Sequence, residues 1–86
     1  MNLAYKVVGD AAVLTFFADC TKQDRQELMR VFNALAESPH QRDAWLRRMR
    51  SGQDLSIKRL GKWLVTYWLD DPVRELRIVA VEKVFV

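Results

Sequence analysis

The chain has one cysteine, Cys20, and one histidine, His40. A single thiol closes no internal disulfide, and one thiol with one imidazole cannot supply four zinc ligands, so a disulfide scaffold, a bound metal and any other cofactor are not expected. Glycine and proline are scarce, at three and two residues, which excludes collagen-like and low-complexity chains. No glycine-rich phosphate loop and no Gly-x-Ser-x-Gly elbow occurs, so nucleotide binding and serine hydrolase chemistry lack a basis. Long apolar runs are missing too. The longest, residues 11–18, is interrupted by Thr15 and falls far short of the roughly 20 residues that span a bilayer. The start of the chain shows no basic segment followed by an apolar stretch and a cleavage site. A cytoplasmic protein without membrane attachment is the expectation.

What is present is a globular composition: 86 residues, 50% of them apolar and 29% charged. That length fills one core, so residues 1–86 are read as a single domain. A chain of this size has a thin core and little depth for an enclosed pocket, which points to an open face as the place for function.

Charge is unevenly distributed. Residues 1–39 carry −1, residues 40–62 carry +5 and residues 63–86 carry −1. The middle stretch holds Arg42, Arg47, Arg48, Arg50, Lys58, Arg59 and Lys62 against Asp43 and Asp54. Such density suits a polyanion or an acidic partner, because each neutralised phosphate releases condensed counterions. The same residues also fit a solvated face whose arginine stems cover apolar surface.

Residues 3–8 are apolar and β-prone and are broken by Gly9-Asp10, which predicts a first strand. Residues 11–18 fit either the return strand of a hairpin or a short helix capped by Asp10. Thr21 opens a clearer element. Thr-Lys-Gln-Asp resembles a capping box, and Leu28, Val31, Phe32 and Leu35 recur at helical spacing until Ser38-Pro39. Residues 42–50 are read as a short third helix with Trp45, Leu46 and Met49 inward, stopped by Gly52. Beyond Asp54 the period becomes that of strands, in three runs over 55–60, 62–69 and 74–85 separated by Gly61 and by the turn Asp70-Asp71-Pro72. The expected architecture is α+β: a small antiparallel sheet, made of the N-terminal strand and a three-strand meander, covered on one face by two or three helices.

In the run 62–69, Trp63, Val65, Tyr67 and Leu69 alternate with Lys62, Leu64, Thr66 and Trp68. In the next run Leu76, Ile78 and Ala80 alternate with Arg77, Val79 and Val81. A sheet apolar on both sides has one face against helices and the other against a partner or open as an aromatic-basic platform. Trp63, Tyr67 and Phe85 are the expected partner-binding aromatics, whether the partner is another protein or a second copy in a homodimer.

The order of elements, with Tyr5, Leu35-Ala36-Glu37-Ser38-Pro39, Leu55-Ser56-Ile57-Lys58, Gly61-Lys62-Trp63-Leu64-Val65-Thr66-Tyr67 followed by Asp70, and Arg77-Ile78-Val79-Ala80-Val81, resembles the RelE/ParE family of toxin-antitoxin toxins over nearly the whole chain. The resemblance implies a pair of antiparallel helices after the first strand, and so a helix at 11–18. It implies a cognate antitoxin as partner and, as target, ribosome-bound mRNA cut in the RelE-like branch or DNA gyrase inhibited in the ParE-like branch. It places Lys58 at a catalytic lysine position of the nuclease branch. Arg59 and Lys83 lie close to basic positions of that branch, and Arg47, Arg48, Arg50 and Lys62 complete the expected nucleic-acid or target-binding set.

The sequence also departs from the nuclease pattern. Trp63 stands where that branch has its third-strand arginine, Ser56 where another lysine is usual, and Glu82-Lys83-Val84-Phe85-Val86 contains neither the late arginine nor the tyrosine. Cleavage, gyrase inhibition and a non-catalytic interaction module without toxicity all stay open at this point.

Overall fold

The computed structural model describes residues 4–41, 44–48 and 52–84. The chain runs β1 (Lys6–Gly9), α1 (Ala11–Asp19), α2 (Lys22–Glu37), β2 (Trp45–Arg48), β3 (Asp54–Leu60), β4 (Trp63–Asp70), a 3-10 turn (Asp71–Val73) and β5 (Glu75–Lys83).

Two polar caps start the helices. The Val13 N–H donates to Asp10 Oδ1 at 3.2 Å, and the Asp24 N–H donates to Thr21 Oγ1 at 3.1 Å. Each satisfies one of the amide donors that a helix start leaves unpaired. The segment after Gly9-Asp10 is therefore a helix, as the family resemblance implied. From α2, Leu28, Phe32, Leu35 and Ala36 are buried, the stripe that its apolar spacing predicts.

The five strands form one sheet in the order β1-β5-β4-β3-β2. The meander β3-β4-β5 is antiparallel, but β1 pairs parallel to β5, with Lys6 opposite Glu75 and Val8 opposite Arg77. The sheet is thus mixed where an all-antiparallel one was expected. The helix pair between β1 and the rest of the sheet is the long crossover that a parallel neighbour requires.

Residues 45–48 correct a second expectation. They form an edge strand antiparallel to β3, pairing Trp45 with Ile57, Leu46 with Ser56, Arg47 with Leu55 and Arg48 with Asp54. No third helix forms there, and Trp45 and Leu46 point outward, 68% and 73% exposed.

Both helices pack on one face of the sheet. The core joins Val13, Leu28, Phe32 and Leu35 to Trp63, Val65 and Tyr67 of β4 and Leu76, Ile78 and Val81 of β5. A bulge on β5 shifts the register between Thr66, opposite Ala80, and Tyr67, opposite Ile78. Because one extra residue reverses side-chain parity, Val81 joins Leu76 and Ile78 inside while Ala80 is exposed, which corrects the simple alternation read from the sequence.

Candidate functional site

Registers sort the remaining side chains onto the two faces. On the helix side, Leu60, Lys58 and Ser56 of β3 lie opposite Trp63, Val65 and Tyr67. On the open side, Ile57 and Arg59 lie opposite Thr66 and Leu64, while Trp45 and Arg47 lie beside Ile57 and Leu55. Arg77, opposite Trp68, completes the open face towards β1. That face has a centre of Leu55, Ile57, Leu64, Thr66 and Trp68, with Arg47, Arg59 and Arg77 around it and Asp70, Glu75 and Glu82 at the same parity.

Trp63 and Tyr67 do not serve as partner-binding aromatics. They are 1% and 0% exposed, because odd-numbered positions of β4 face the helices. Trp63 packs edge-on against Phe16 with ring centroids 6.2 Å apart, and the Tyr67 hydroxyl donates to the Pro39 carbonyl at 3.2 Å. Among the described residues, the aromatics on the open face and its edge are their even-parity neighbour Trp68 and Trp45 of β2. A signal for this choice was legible: within β4 the set Trp63, Val65, Tyr67 and Leu69 has no charged member, whereas the alternate set ends in Asp70. Phe85, Arg50 and Arg42 lie outside the described residues. Arg48 is placed by its backbone pairing with Asp54 alone.

The cationic residues do not converge. Lys62 and Lys83 meet at the start of α2. Lys62 Nζ lies 2.8 Å from Asp24 Oδ1 and 3.2 Å from Glu27 Oε2, and Lys83 Nζ lies 3.1 Å from Asp24 Oδ2. Hydrogen bonds from Lys62, then from Lys83, hold the Asp24 carboxyl below its usual range, and the bond to Asp24 raises the Lys62 ammonium in turn. Both ammonium groups also sit over the Trp63 ring, at 5.3 and 5.9 Å from its centroid. These two lysines brace α2 against the sheet, and their charge is largely answered within the fold.

Arg59 turns back on its own hairpin, its Nε–H donating to the Gly61 carbonyl at 3.0 Å. A shallow depression at the β2–β3 edge is lined by Trp45, Ile57, Lys58 and Arg59. There Lys58, from the helix side, comes next to open-face residues.

Arg77 was not singled out by sequence reasoning. Its guanidinium lies 5.5 Å from the Trp68 centroid, pairs with Glu75 at 2.8 Å and has Asp70 at 3.6 Å. The Arg77 Nε–H is buried without a hydrogen-bond partner, since the Asp70 oxygen at 3.6 Å is too far to accept.

At the same β4–β5 turn, Tyr5 donates to Asp71 at 2.6 Å and lies under the Arg74 guanidinium at 4.6 Å. The hydrogen bond to Asp71 raises the phenol above its ordinary range. Burial likewise pushes the Cys20 thiol up, away from nucleophilic reactivity. Among the described residues, His, Cys, Asp and Glu side chains form no group that could hold a metal ion, and no helix is long and apolar enough to cross a membrane.

A two-helix layer on a five-stranded mixed sheet is a fold shared with solved RelE structures. The isolated Escherichia coli RelE toxin superposes with a TM-score of 0.75 at 20% identity, covering 96% of this chain and 87% of that one. RelE–RelB structures agree: the intact E. coli RelBE toxin-antitoxin complex gives a TM-score of 0.76 at 21% identity, covering 96% of this chain and 100% of that one. The archaeal RelE-RelB complex of Pyrococcus horikoshii gives 0.72 at 18% identity, covering 93% and 94%. No protein-family model and no curated protein sequence matches the chain. The fold read from the sequence is therefore that of RelE, at an identity low enough that its chemistry must be argued from its own residues.

Proposed function

We propose that this protein is the toxin-like component of a bacterial toxin–antitoxin pair, working in the cytoplasm and held in check by a cognate antitoxin. The observation that carries this reading is the RelE fold over 96% of the chain, matched in an isolated toxin and in a toxin-antitoxin complex. The sheet face that no described residue covers, with Arg47, Arg59 and Arg77 around Leu55, Ile57, Leu64 and Trp68, supports it as a surface for a macromolecular target.

Between cleaving a message and blocking a target by occupancy, the arrangement of cations favours occupancy. Stabilising a phosphorane requires several donors converging on one phosphate. Here Lys58 and Arg59 start from opposite faces of β3, Lys62 and Lys83 are engaged by Asp24, and Trp63 stands where the resemblance puts the third-strand arginine of the nuclease branch. Gyrase or the translating ribosome would then be bound without a cut.

The test is induction of the chain in bacteria with and without the adjacent reading frame. Growth arrest that the neighbour relieves is the expected result, and normal growth in both strains overturns the reading. Message from arrested cells should be intact at the ribosomal A site. Cuts that vanish in Lys58→Ala would instead establish the nuclease branch.

A further inference from the structure

We infer that the cleft between the two helices and strand β1 binds a free medium-chain fatty acid, with the alkyl chain in the cleft and the carboxylate on a cationic stripe of α2. The inference is independent of the toxin reading and goes beyond it.

The cleft has a volume of about 210 Å³ and an apolar lining. Val13, Phe32 and Ile78 of the core contribute to it, with Leu14, Phe17 and Met29 from the two helices. Leu14 and Met29 are 61% and 46% exposed, so two flexible apolar side chains stand at its mouth. Gly9 also lines it. Its φ is not positive, so the backbone does not demand a glycine there, but space does. A β-carbon at Gly9 would come within 3.1 Å of Val13 Cγ1 and 3.8 Å of Leu14 Cδ2, both on lining side chains. Pockets for drug-sized ligands start at about 300 Å³. This narrower one suits a single unbranched chain, and a partner helix about 10–12 Å wide could reach it only with a side chain.

Charge selects the head group. An adjoining depression shares Phe17 and Met29 with the cleft and is otherwise lined by Lys22, Arg25, Gln26 and Arg30. These residues recur at helical spacing along one stripe of α2 that leads to Met29. Arg25 is held in place by donating from Nη1 to the carbonyls of Ala18 and Cys20, at 3.4 and 2.6 Å. Lys22 and Arg30 are exposed and pair with no carboxylate among the described residues. Cations without acids beside an apolar slot match an alkyl chain that ends in a carboxylate. A second copy would set the same cations against each other. A flat anionic bilayer would meet α1 as well, which carries no basic residue and ends in Asp19.

Titration of the whole protein, isotope-labelled at its methyl groups, with octanoate tests this. Methyl signals of Val13, Leu14 and Met29 should shift and saturate while those of Leu46 stay still. Affinity should rise about three- to fourfold for each methylene added from butanoate to octanoate. Octanol should bind about tenfold more weakly than octanoate, for want of a charge-assisted hydrogen bond. Arg30→Glu should erase that difference with the ligand-free thermal midpoint unchanged, since the side chain is exposed. Gly9→Ala should weaken octanoate by about tenfold. Should that variant fail to fold, Leu14→Asp at the exposed mouth carries the same expectation.

Equal affinity for octanol and octanoate overturns the proposal, as do shifts at Leu46 that match those at Leu14. Other occupants would show themselves and overturn it too. Shifts at Leu14 and Met29 that grow with protein concentration alone assign the cleft to a second copy. Co-sedimentation with phosphatidylglycerol vesicles that Leu14→Asp abolishes assigns it to a membrane. Shifts with an amphipathic glutamate-leucine helical peptide, but none with octanoate, assign it to a partner protein.

Discussion

Asp24 links three elements through two ammonium groups, at 2.8 and 3.1 Å, and its acidity follows from them. Its carboxyl titrates below the ordinary 3.8 in the folded state. The contribution of the pair is therefore complete above that value and is lost as pH falls through the lower folded-state value. Denaturant midpoints of the parent should drop on acidification below pH 3.8 more steeply than those of Asp24→Asn, the two curves converging in strong acid. The partner behaves oppositely: Lys62, raised above 10.5, holds its share below that pH and gives it up as pH rises further. Trp63 beneath these groups is 1% exposed. Trp63→Ala should cost about 3–5 kcal/mol by urea unfolding, the usual penalty for emptying a large aromatic site. A neutral effect on stability would mean that the ring is not in the core.

At the level of elements, α2 was fully legible because one face of it is buried from Leu28 to Ala36 and burial imprints a period. Thr21→Ala, which removes the cap of that helix, should lower stability by about 1 kcal/mol, measured by chemical denaturation. Strand β2 was illegible for the opposite reason. Its consecutive residues Trp45 and Leu46 are both exposed, so no period of burial exists to be read, and the apolar-cationic pattern passed for an amphipathic helix. Cα and Cβ chemical shifts at 45–48 should be strand-like, and helical shifts would contradict the edge. The faces of β4 were separable by charge alone. The bulge in β5 left no comparable mark, since Val79, Ala80 and Val81 differ too little in character to announce where parity turns over. Gly61 joins β3 to β4 at φ +60, where a β-carbon is strained. Gly61→Ala should cost about 1 kcal/mol or more in the same assay.

Taken as a whole, the molecule separates support from contact. Helices and lysine braces occupy one side of the sheet, and the other side keeps its arginines towards solvent. The +5 region that composition picked out is real in sequence but divided in space, because consecutive strand residues such as Lys58 and Arg59 must point to opposite faces. That division could not be read from a charge count. Binding to an anionic target through the open face should weaken as salt rises, with Arg47→Ala and Arg59→Ala each lowering the salt slope by about one. An unchanged slope would place the contact elsewhere.

The parallel seat of β1 beside β5 also sets an order of events during synthesis. The strand that emerges first has as its only neighbour the strand translated last among the five, and β5 is also the floor on which α1 rests. A nascent chain therefore carries its helix pair with the core around Leu28, Phe32 and Leu35 incomplete until Leu76, Ile78 and Val81 of β5 arrive to close it. The newborn polypeptide should therefore be sensitive to protease for that interval, gaining resistance only once β5 has paired with β1.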